Sequence, residues 1–292
     1  MTLFHSLDPK PTPDYNTSMS KTSTSQTANE LVFLKLGGSL ITDKFTARLA
    51  RPEVIQRITE EIAAVLQKEP QLNLILGHGS GSFGHFSGKK YNTRAGVSTP
   101  EEWLGFAEVW YDAASLNQLV MAALNKSGIP AVSFPPSAAV FTKDGKIKSW
   151  ELRPIRSALH QGLLPIVFGD VVFDSIRGGT IVSTEDLFVH LADEFKPRRI
   201  LLAGQDPGVW EDFPNCTRLF KNIRPADHSN LAEKVSQSHA PDVTGGMTDK
   251  VEQMLGLINK MPETDCLIFS GAEPGSIRKA LSGEILGTHL HI

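Results

Sequence analysis

The stretch from residue 31 to residue 44 reads LVFLKLGGSLITDK, and it decides the fold of the 292-residue chain. Its first four residues are apolar without interruption, which predicts a buried strand. Gly37 and Gly38 follow that strand directly, and paired glycines let the backbone approach a phosphate closely. Lys35 and Lys44 add mobile positive charge. A Gly-Gly pair after a strand is by itself more often only a turn, so this interpretation depends on the rest of the chain.

Short apolar runs alternate with longer stretches of helical period from Leu31 onward, which is the pattern of an α/β protein with a mainly parallel sheet. Further strands are predicted at residues 72–76, 131–134, 166–173 with a break at Gly169 and Asp170, 200–203 and 267–270. Helices are predicted at residues 52–66, 109–124, 154–160, 247–259 and 274–281, with one more that begins at Ser183 or Thr184. Asp144 and Gly145 predict a tight β-hairpin, an antiparallel excursion from this pattern.

The composition excludes several classes of protein. Lys and Arg number 29 against 32 Asp and Glu, and the formal charge of -3 excludes a strongly basic nucleic-acid binder on overall electrostatics. No run approaches the ~18 to 20 consecutive apolar residues of a membrane span, which excludes an integral membrane protein. Cys216 and Cys266 are isolated, so the chain is not a disulfide scaffold, and we expect reduced thiols in the cytoplasm.

The N-terminal 29 residues differ in composition from the rest of the chain. They are mostly Ser, Thr, Pro and other polar types, without the apolar stretch of a secretion signal or the arginines of a transit peptide. We expect residues 1–29 to form a disordered polar tail. Residues 30–292 contain no linker between two hydrophobic cores, so they are predicted to form a single domain with two lobes.

A second glycine-rich stretch, GHGSGSFGH, occupies residues 77–85. Four glycines in eight residues are too many for a simple turn, and the stretch is too short for a flexible linker. Backbone N–H groups at such a strand end favour an anion, which makes Gly79, Ser80, Gly81 and Gly84 candidates for phosphate binding. His85 could donate a hydrogen bond to that phosphate, and the alternative is a histidine that caps or packs the following helix.

Two further glycine-rich stretches follow a strand or open a helix. Residues 242–247 read DVTGGM and open a helix that carries Lys250 about one turn in, where its ammonium could reach a phosphate; a solvated surface lysine is the alternative. Residues 206–210 read DPGVW, and Trp210 could wall a base or simply pack. The spacings of the P-loop and of the dinucleotide fingerprint do not occur, so both of those folds are disfavoured.

Together these motifs resemble a known family. The stretches at residues 35–39, 41–44, 81–85, 169–171 and 242–247 resemble, in order and approximate spacing, those of the amino acid kinase superfamily and, within it, the isopentenyl phosphate kinase family. Lysine-Gly-Gly and Gly-Gly-Met are shared across the superfamily, whereas Thr-Asp-Lys combined with Gly-Ser-Phe-Gly-His is much narrower. The resemblance covers Leu31 to the C-terminus.

The resemblance implies an open αβα sandwich and a phosphotransferase. The lobe at about residues 30–180 would hold the acceptor, and the lobe at about residues 181–292 would hold ATP with Mg²⁺. The implied reaction converts ATP and isopentenyl phosphate to ADP and isopentenyl diphosphate, a step in isoprenoid precursor synthesis. The implied partners are these two small molecules and a second copy of the chain in a homodimer, with no nucleic acid.

The resemblance also implies roles for individual residues. The implied catalytic residues are Lys35, Lys44 and His85, with Lys44 stabilising the transition state. The acceptor would bind at Gly79, Ser80, Gly81, Gly84, His85, Gly169 and Asp170. The nucleotide would bind at Lys35, Gly37, Gly38, Ser39, Gly81, Glu185, Asp206, Gly245, Gly246 and Lys250. No residue is implied as a protein ligand of a metal.

Three positions depart from the family pattern. Ser80 stands where many members have glycine, and Glu185 stands where the superfamily usually has an aspartate that organises the lysines. The extra methylene of Glu185 puts its distance to the lysines in question. The acid at Asp206 is displaced by one position, which weakens its assignment to the nucleotide site.

Two other functions are compatible with the sequence. A kinase for another small phosphate or phosphonate, such as fosfomycin, would share the lysines and a comparable histidine. An isopentenyl tail needs an apolar pocket, for which Phe86, Tyr91, Trp103, Phe106, Phe134 and Ile166 are candidates, each equally compatible with plain core. A non-catalytic binding protein on the same fold is the second alternative, although it would be expected to have lost at least one of the charged residues.

Overall fold

The fold is organised around strand β1, Leu31–Leu36, which lies at the centre of a sheet. The structure is a computed structural model that describes residues 30–227 and 246–292. Val32, Leu34 and Leu36 point into one hydrophobic core, and Phe33 points into the core on the opposite face. This alternation is the period of a strand. Residues 1–29, which are predicted to form a tail, and residues 242–245 of the third glycine-rich stretch lie outside the described part of the chain.

The central sheet has eight strands among the described residues. With β1, they are β2 Asn73–His78, β3 Ala131–Ser133, β6 Leu164–Phe168, β9 Arg199–Gly204, β10 Asn222–Ile223, β11 Asp265–Ser270 and β12 Thr288–Leu290. Their order across the sheet is β10-β12-β11-β9-β1-β2-β6-β3, and only the pair β11 and β12 is antiparallel. The predicted mainly parallel sheet is therefore confirmed, and the carboxyl ends of β1, β2 and β9 meet at one edge.

Helices cover both faces of this sheet. They are α1 Gly38–Ile41, α2 Pro52–Lys68, α3 Gly81–Lys90, α4 Pro100–Lys126, α5 Arg153–His160, α6 Thr184–Phe195, α7 Gly246–Lys260 and α8 Ser276–Leu281. One core joins the sheet to α2, α4 and α8, and the other joins it to α6 and α7. The arrangement is the predicted αβα sandwich. No helix in the described ranges has the length and apolarity needed to cross a membrane.

Ser183 is the residue that caps α6. Its Oγ accepts a hydrogen bond from the N–H of Asp186 at 3.1 Å, and the Asp186 carboxylate accepts one from the N–H of Ser183 at 2.8 Å. This reciprocal capping box satisfies donors that a helix start otherwise leaves unpaired. It fixes the start of α6, so that Thr184 and Glu185 form its first turn.

A second, four-stranded sheet carries the predicted hairpin. Its strands are β4 Val140–Lys143, β5 Lys146–Trp150, β7 Asp170–Asp174 and β8 Gly178–Val182, in the order β5-β4-β7-β8. Asp144 and Gly145 both have positive φ, 50° and 74°, as a tight hairpin turn of this type requires. The break predicted at Gly169 and Asp170 within residues 166–173 is confirmed at Gly169, which separates β6 from β7. The two strands belong to different sheets.

Asp174 joins the two turns of this smaller sheet. Its carboxylate accepts backbone N–H groups from Gly145 and Arg177, both at 2.8 Å. Burial alone would raise the pKa of Asp174, but these and further hydrogen bonds outweigh burial and hold that pKa well below its ordinary value. The hairpin is therefore attached to the strand that follows Gly169.

The elements that sequence patterns did not predict are short. They are α1, β8, β10 and β12, each of six residues or fewer. Two to five residues are too few to show a period, and β8 begins with two glycines, which are poor strand formers. Helix α3 also begins earlier than expected, inside the glycine-rich stretch.

Candidate active site

Two glycine loops touch at the carboxyl edge of the central sheet. One follows β1 and the other follows β2. A Cβ atom added to Gly38 would lie 2.5 Å from both Cα and N of Gly81, and one on Gly79 would lie 2.9 Å from N of Gly38. Real Cβ atoms do not approach main chain this closely. The loops are therefore in backbone contact, and only glycine fits at Gly38.

Hydrogen bonds fix both loops to their surroundings. The N–H of Gly37 donates to the carbonyl of Ala203 at 2.7 Å, and the N–H of Gly79 donates to that of Leu36 at 3.0 Å. Each loop is thus attached to the strand beside it. These two N–H groups are used within the fold. They hold the loops rigidly, and an anion at this sheet edge would be bound by other main-chain N–H groups of the loops.

Thr42 links the two loops through its side chain. Its Oγ1 accepts the N–H of Ser82 at 2.9 Å and donates to the carbonyl of Gly38 at 2.8 Å. Sequence reasoning did not single out this residue. Its position within the motif of residues 41–44 was the available signal, because it immediately precedes the acid and the lysine of that motif.

Helix α3 starts within the second loop. Gly81 has φ +50°, and the chain is helical from this residue to Lys90. His85 therefore lies inside α3, in its second turn, whereas it was expected to precede the helix. The N-terminal end of the helix, which favours negative charge, points toward the cradle formed by the two loops. The side chain of Ser80 packs on Gly84, where an added Cβ would lie 2.6 Å from its Oγ.

Gly169 and Asp170 form the third wall of the cradle. The N–H of Gly169 donates to the carbonyl of His78 at 3.1 Å, and a Cβ on Gly169 would lie 3.9 Å from N of Ser80. The carboxylate of Asp170 accepts the N–H of Ser137 at 3.1 Å and that of Val171 at 2.8 Å. Burial raises the pKa of Asp170 to about 6, against the lowering effect of these hydrogen bonds.

A buried ion pair joins β1 to α6. Lys35 Nζ contacts Glu185 Oε1, and both side chains are almost fully buried. Strand alternation turns Lys35 to the same face as Phe33, which is the face that α6 covers. The extra methylene of Glu185 does not prevent this contact. Residue 185 also lies in the first turn of α6, where a carboxylate is stabilised by the helix dipole.

Lys250 brings a second ammonium toward the same carboxylate. It lies one turn into α7, which begins at Gly246. Burial raises the pKa of Glu185, but the charges of Lys35 and Lys250 outweigh burial and hold that pKa below its ordinary value. Glu185 is therefore ionised between two lysines that come from opposite sides of the predicted lobe boundary.

Thr184 explains how α6 is held at this position. Its Oγ1 donates to the carbonyl of His78 at 2.7 Å. A Cβ on Gly77 would lie 2.5 Å from Thr184 Cγ2 and 2.8 Å from the Phe188 ring. The start of α6 is thus packed directly on the end of β2. Sequence reasoning considered Thr184 only as a cap, and no local pattern indicates this contact.

Lys44 stands on an exposed loop beside the cradle. Thr42 and Ala50 form an isolated β-bridge, and the Asp43 carboxylate accepts the N–H groups of Phe45 and Thr46, both at 2.9 Å. Residues 43–49, called the lysine loop below, are therefore closed at the base and shaped by Asp43. Lys44 is two positions along the chain from Thr42, a span of about 7 Å at most between their Cα atoms.

The turn after β9 lies next to the first glycine loop. Gln205 Nε2 donates to the carbonyl of Ser39 at 3.0 Å, and Asp206 is exposed beside it. Gly208 packs on β12, since an added Cβ would lie 2.6 Å from Thr288 Oγ1. The predicted nucleotide ligand Gly245 lies outside the described residues.

The structure thus brings most of the predicted site residues to one sheet edge. The cradle contains Gly37, Gly38, Ser39, Gly79, Ser80, Gly81 and Gly169. The charged group contains the buried residues Lys35 and Glu185 and the half-buried Lys250. Within residues 30–227 and 246–292, no cluster of three His, Cys, Asp or Glu side chains could hold a metal ion.

An apolar cluster lies along α3 beyond the cradle. It contains Val97, Phe106, Val109 and Val171, with Trp103 and Ile181 packed against them. A Cβ on Gly88 of α3 would lie 3.1 Å from Ile181 Cδ1, and Val171 directly follows Asp170. Of the other candidate lining residues, Ile166 and Phe134 belong to the two main cores, Phe86 is exposed, and Tyr91 packs on Gly105.

Replacing Gly38 tests the backbone contact. Gly38→Ala forces a methyl group against the main chain of Gly81, so it should lower the free energy of unfolding by about 1–3 kcal/mol. Gly256→Ala is the matched control, because Gly256 lies within α7 and has nothing within 4 Å of its added Cβ. That control should raise stability by about 0.5–1 kcal/mol. Urea unfolding measures both, and equal stability of Gly38→Ala and the wild type would contradict the contact.

The pKa of Asp170 predicts a pH-dependent stability. The folded state holds this proton more tightly than the unfolded state, where the pKa is 3.8, so the contribution of Asp170 to stability is lost as pH rises from 4 to 6. The stability difference between wild type and Asp170→Asn should therefore fall by up to about 3 kcal/mol between pH 4 and pH 7.

Asp174→Asn is the control for this titration. The pKa of Asp174 is lowered, so both its folded and unfolded forms are ionised above pH 5, and its stability difference should stay constant from pH 5 to pH 7. Urea unfolding at unit pH intervals measures both variants. A difference for Asp170→Asn that does not change with pH would show that this carboxyl titrates normally.

Comparison with known proteins agrees with this geometry. A model of the amino acid kinase family matches residues 30–270. Isopentenyl phosphate kinases from Methanothermobacter thermautotrophicus and Methanocaldococcus jannaschii are 34% and 32% identical to the chain, each over 89% of this chain and 98% of the relative. An X-ray structure of isopentenyl phosphate kinase superposes with a TM-score of 0.75 at 32% identity, covering 89% of this chain and 100% of that one. The chain therefore belongs to the amino acid kinase family and, within it, to the isopentenyl phosphate kinases.

Proposed function

We propose that the protein transfers the γ-phosphoryl group of ATP to isopentenyl phosphate, forming ADP and isopentenyl diphosphate. The observation that carries the proposal is the pair of touching glycine loops beside a buried Lys35–Glu185 pair. Two polyanions must meet in this reaction, and such a site offers main-chain donors and lysine charge at one place. Relatives that bear the name of this activity cover nearly the whole described chain.

The acceptor phosphate is assigned to the cradle. Gly79, Ser80, Gly81 and Gly84 would let the main chain approach it closely, with main-chain N–H donors at Ser80 and Gly81. Gly169 would close the side, and His85 would donate a hydrogen bond from α3. An oxygen of the acceptor forms the new bond to the γ-phosphorus as the bond from that phosphorus to ADP breaks. A phosphate monoester is largely deprotonated at pH 7, so His85 acts as a clamp rather than as an obligatory base.

The lysines neutralise the charge that builds up during transfer. Glu185 keeps Lys35 in place and faces Lys250, and Lys44 approaches from the lysine loop. Fixed charges in a partly dry site stabilise a transferring phosphoryl group far more than they would in water. Asp170 acts indirectly. Its carboxylate accepts a hydrogen bond from the N–H of Ser137 and so fixes the turn beside Gly169.

The nucleotide is assigned to the C-terminal part of the chain. In this proposal residues 30–180 bind the acceptor and residues 181–292 bind ATP, although the central sheet runs through both. Gly37, Gly38 and Ser39 are assigned to the nucleotide, together with Gly245 and, at the start of α7, Gly246 and Lys250. Asp206 is a weaker assignment. The described carboxylates form no protein cage for Mg²⁺, so we propose that the ion would be held by ATP phosphates and water.

The apolar cluster supports an isoprenoid acceptor over a compact polar one. A phosphate in the cradle next to His85 would direct its carbon tail along α3, toward Ile181 and Val171. Burial of five carbons against such side chains is favourable, at about 25 cal/mol per Å² of apolar surface. Fosfomycin is polar and would gain less there.

The assay that tests this function follows ADP release with ATP and Mg²⁺. Isopentenyl phosphate should be turned over in clear preference to fosfomycin. Lys44→Ala and His85→Ala should each lower kcat/KM by about 10²–10³-fold, because each removes a charge or donor from the phosphoryl group. Lys68→Ala, at the exposed far end of α2, is the matched control and should leave kcat/KM unchanged.

Two outcomes would contradict the proposal. If fosfomycin is phosphorylated and isopentenyl phosphate is not, the protein is a phosphonate kinase instead. Absence of ADP release with either acceptor, from protein that unfolds cooperatively, would favour a non-catalytic binding protein.

We further propose that the protein is a homodimer and acts in the cytoplasm. Helix α4 presents an apolar outer face on which Leu104 is 70% exposed and Tyr111 is 64% exposed, with Trp110 and Leu119 alongside. Large apolar side chains exposed on one helix in this way are a mark of a protein–protein contact surface. A second copy of the chain could bury the same face of α4 around a two-fold axis. The use of ATP and the free thiols of Cys216 and Cys266 favour the cytoplasm.

Sedimentation equilibrium tests the dimer. Tyr111→Glu places a charge in the centre of the α4 face and should shift the dimer dissociation constant upward by at least about tenfold, since one desolvated charge costs more than 1.4 kcal/mol. Ile285→Glu is the control, because Ile285 is similarly exposed but lies outside α4. A monomeric wild type, or a dimer that Tyr111→Glu leaves intact, would refute this interface.

A further inference from the structure

We propose that Arg48 is a positioning residue for Lys44, because it clamps the lysine loop onto helix α4. The inference rests on the proposed role of Lys44 in phosphoryl transfer. Arg48 lies outside the motifs that indicated the function, and nothing in its local sequence assigns it a role.

The guanidinium of Arg48 forms a two-point contact with Asp112 of α4. Its Nε donates to Oδ1 at 2.7 Å and its Nη2 donates to Oδ2 at 3.1 Å. Nη2 also donates to Glu108 Oε1 at 3.0 Å, one helical turn earlier on α4. A fork of this kind fixes direction as well as distance, which a lysine could not do.

Burial makes this contact stronger than an ordinary surface ion pair. Asp112 is only 1% exposed, although Arg48 itself is half exposed. A buried carboxylate without its cation is costly, so Asp112 holds Arg48 firmly in the folded protein. Surface pairs in which both partners are solvated contribute little by comparison.

The backbone of Arg48 is also fixed against the cradle. Its N–H donates to the carbonyl of Ser82 in the first turn of α3, at 3.3 Å. Its φ is +56°, a conformation that side-chain-bearing residues adopt at a cost of about 1 kcal/mol or more. Without its backbone contact to Ser82 and its side-chain contact to Asp112, Arg48 could adopt a less costly conformation. The strained backbone therefore indicates that these two contacts determine the path of the lysine loop.

The same network reaches the far end of α3. Glu108 Oε2 accepts from the hydroxyl of Tyr91 at 2.8 Å and from Lys90 Nζ at 3.3 Å. Lys90 ends the helix on which His85 stands. Arg48 therefore connects the loop of Lys44 to the frame that holds His85, and the two groups are kept in register across the acceptor phosphate.

The expected consequence is on the chemical step. A mobile lysine loop would leave the ammonium of Lys44 at the transferring phosphoryl group for only part of the time, which lowers kcat. ATP binding, which is assigned elsewhere, would be little affected. Pre-organised charge is worth more in the transition state than charge that must first be ordered.

A double-mutant cycle tests the coupling. Arg48→Gln should lower kcat about 10–100-fold, with KM for ATP changed less than about threefold. In the Lys44→Ala background the same substitution should change kcat by less than about twofold, because nothing remains for the clamp to position. Equal losses in both backgrounds would overturn the proposal and would indicate a merely structural role.

Arg48→Gln alone leaves the buried carboxylate of Asp112 without its cation, which could destabilise the fold. A second variant removes this charge as well. Arg48→Gln together with Asp112→Asn removes the fork and the carboxylate charge at once, and it should reproduce the kcat loss of Arg48→Gln. Arg199→Gln is the matched control, since Arg199 makes a similar fork to Glu30 at 2.6 and 3.2 Å. A kcat loss in this control as large as in the Arg48 variants would overturn the proposal.

A readout independent of activity separates this inference from the proposed function. Cleavage of the Lys44–Phe45 bond by a lysine-specific protease reports directly on the lysine loop. The double variant should be cleaved at least about tenfold faster than the wild type, and Arg199→Gln should not. Unchanged cleavage would refute the clamp even if the kinase assay succeeds. Faster cleavage in a protein without kinase activity would support the clamp and refute only the proposed function.

Discussion

Main-chain contact between Gly38 and Gly81 is the constraint on which the site depends. The two loops can meet only because neither residue carries a Cβ atom, and their meeting places the start of α3 beside the end of β1. Thr42 then fixes this arrangement with one hydroxyl that bonds to both loops. Glycine is needed at these positions because two backbones approach each other closely and leave no room for a side chain. Backbone flexibility is not the reason.

The charged part of the site follows from the period of a strand. Lys35 is one residue away from Leu34 and Leu36, which both enter the opposite core, so its side chain must face α6. A lysine in that position would be costly without Glu185, and Glu185 would be costly without the lysines and the helix dipole. The core and the buried charges are thus parts of one packing arrangement.

Sequence patterns predicted the long elements and the glycine motifs. The central strand, the hairpin at Asp144 and Gly145, and the helix starting after Ser183 have strong local signals, and the structure confirms them. Elements of two to five residues escaped prediction because they are too short to show a period. The predicted site residues were proposed from their motifs. Thr42 lies within one of these motifs, although the motif does not show which groups its hydroxyl contacts, and the contacts of Thr184 and Arg48 have no motif at all.

The sequence by itself determined the α/β class, the edge of the sheet at which the loops gather, and the lysines available there. These features depend on hydrophobic period and on glycine geometry, which a few neighbouring residues encode. Only the tertiary structure decided that the Asp170 carboxylate bonds to Ser137, and that Arg48 meets Asp112 across 64 residues of chain. Such contacts depend on how whole helices pack on the sheet, and local sequence does not carry that information.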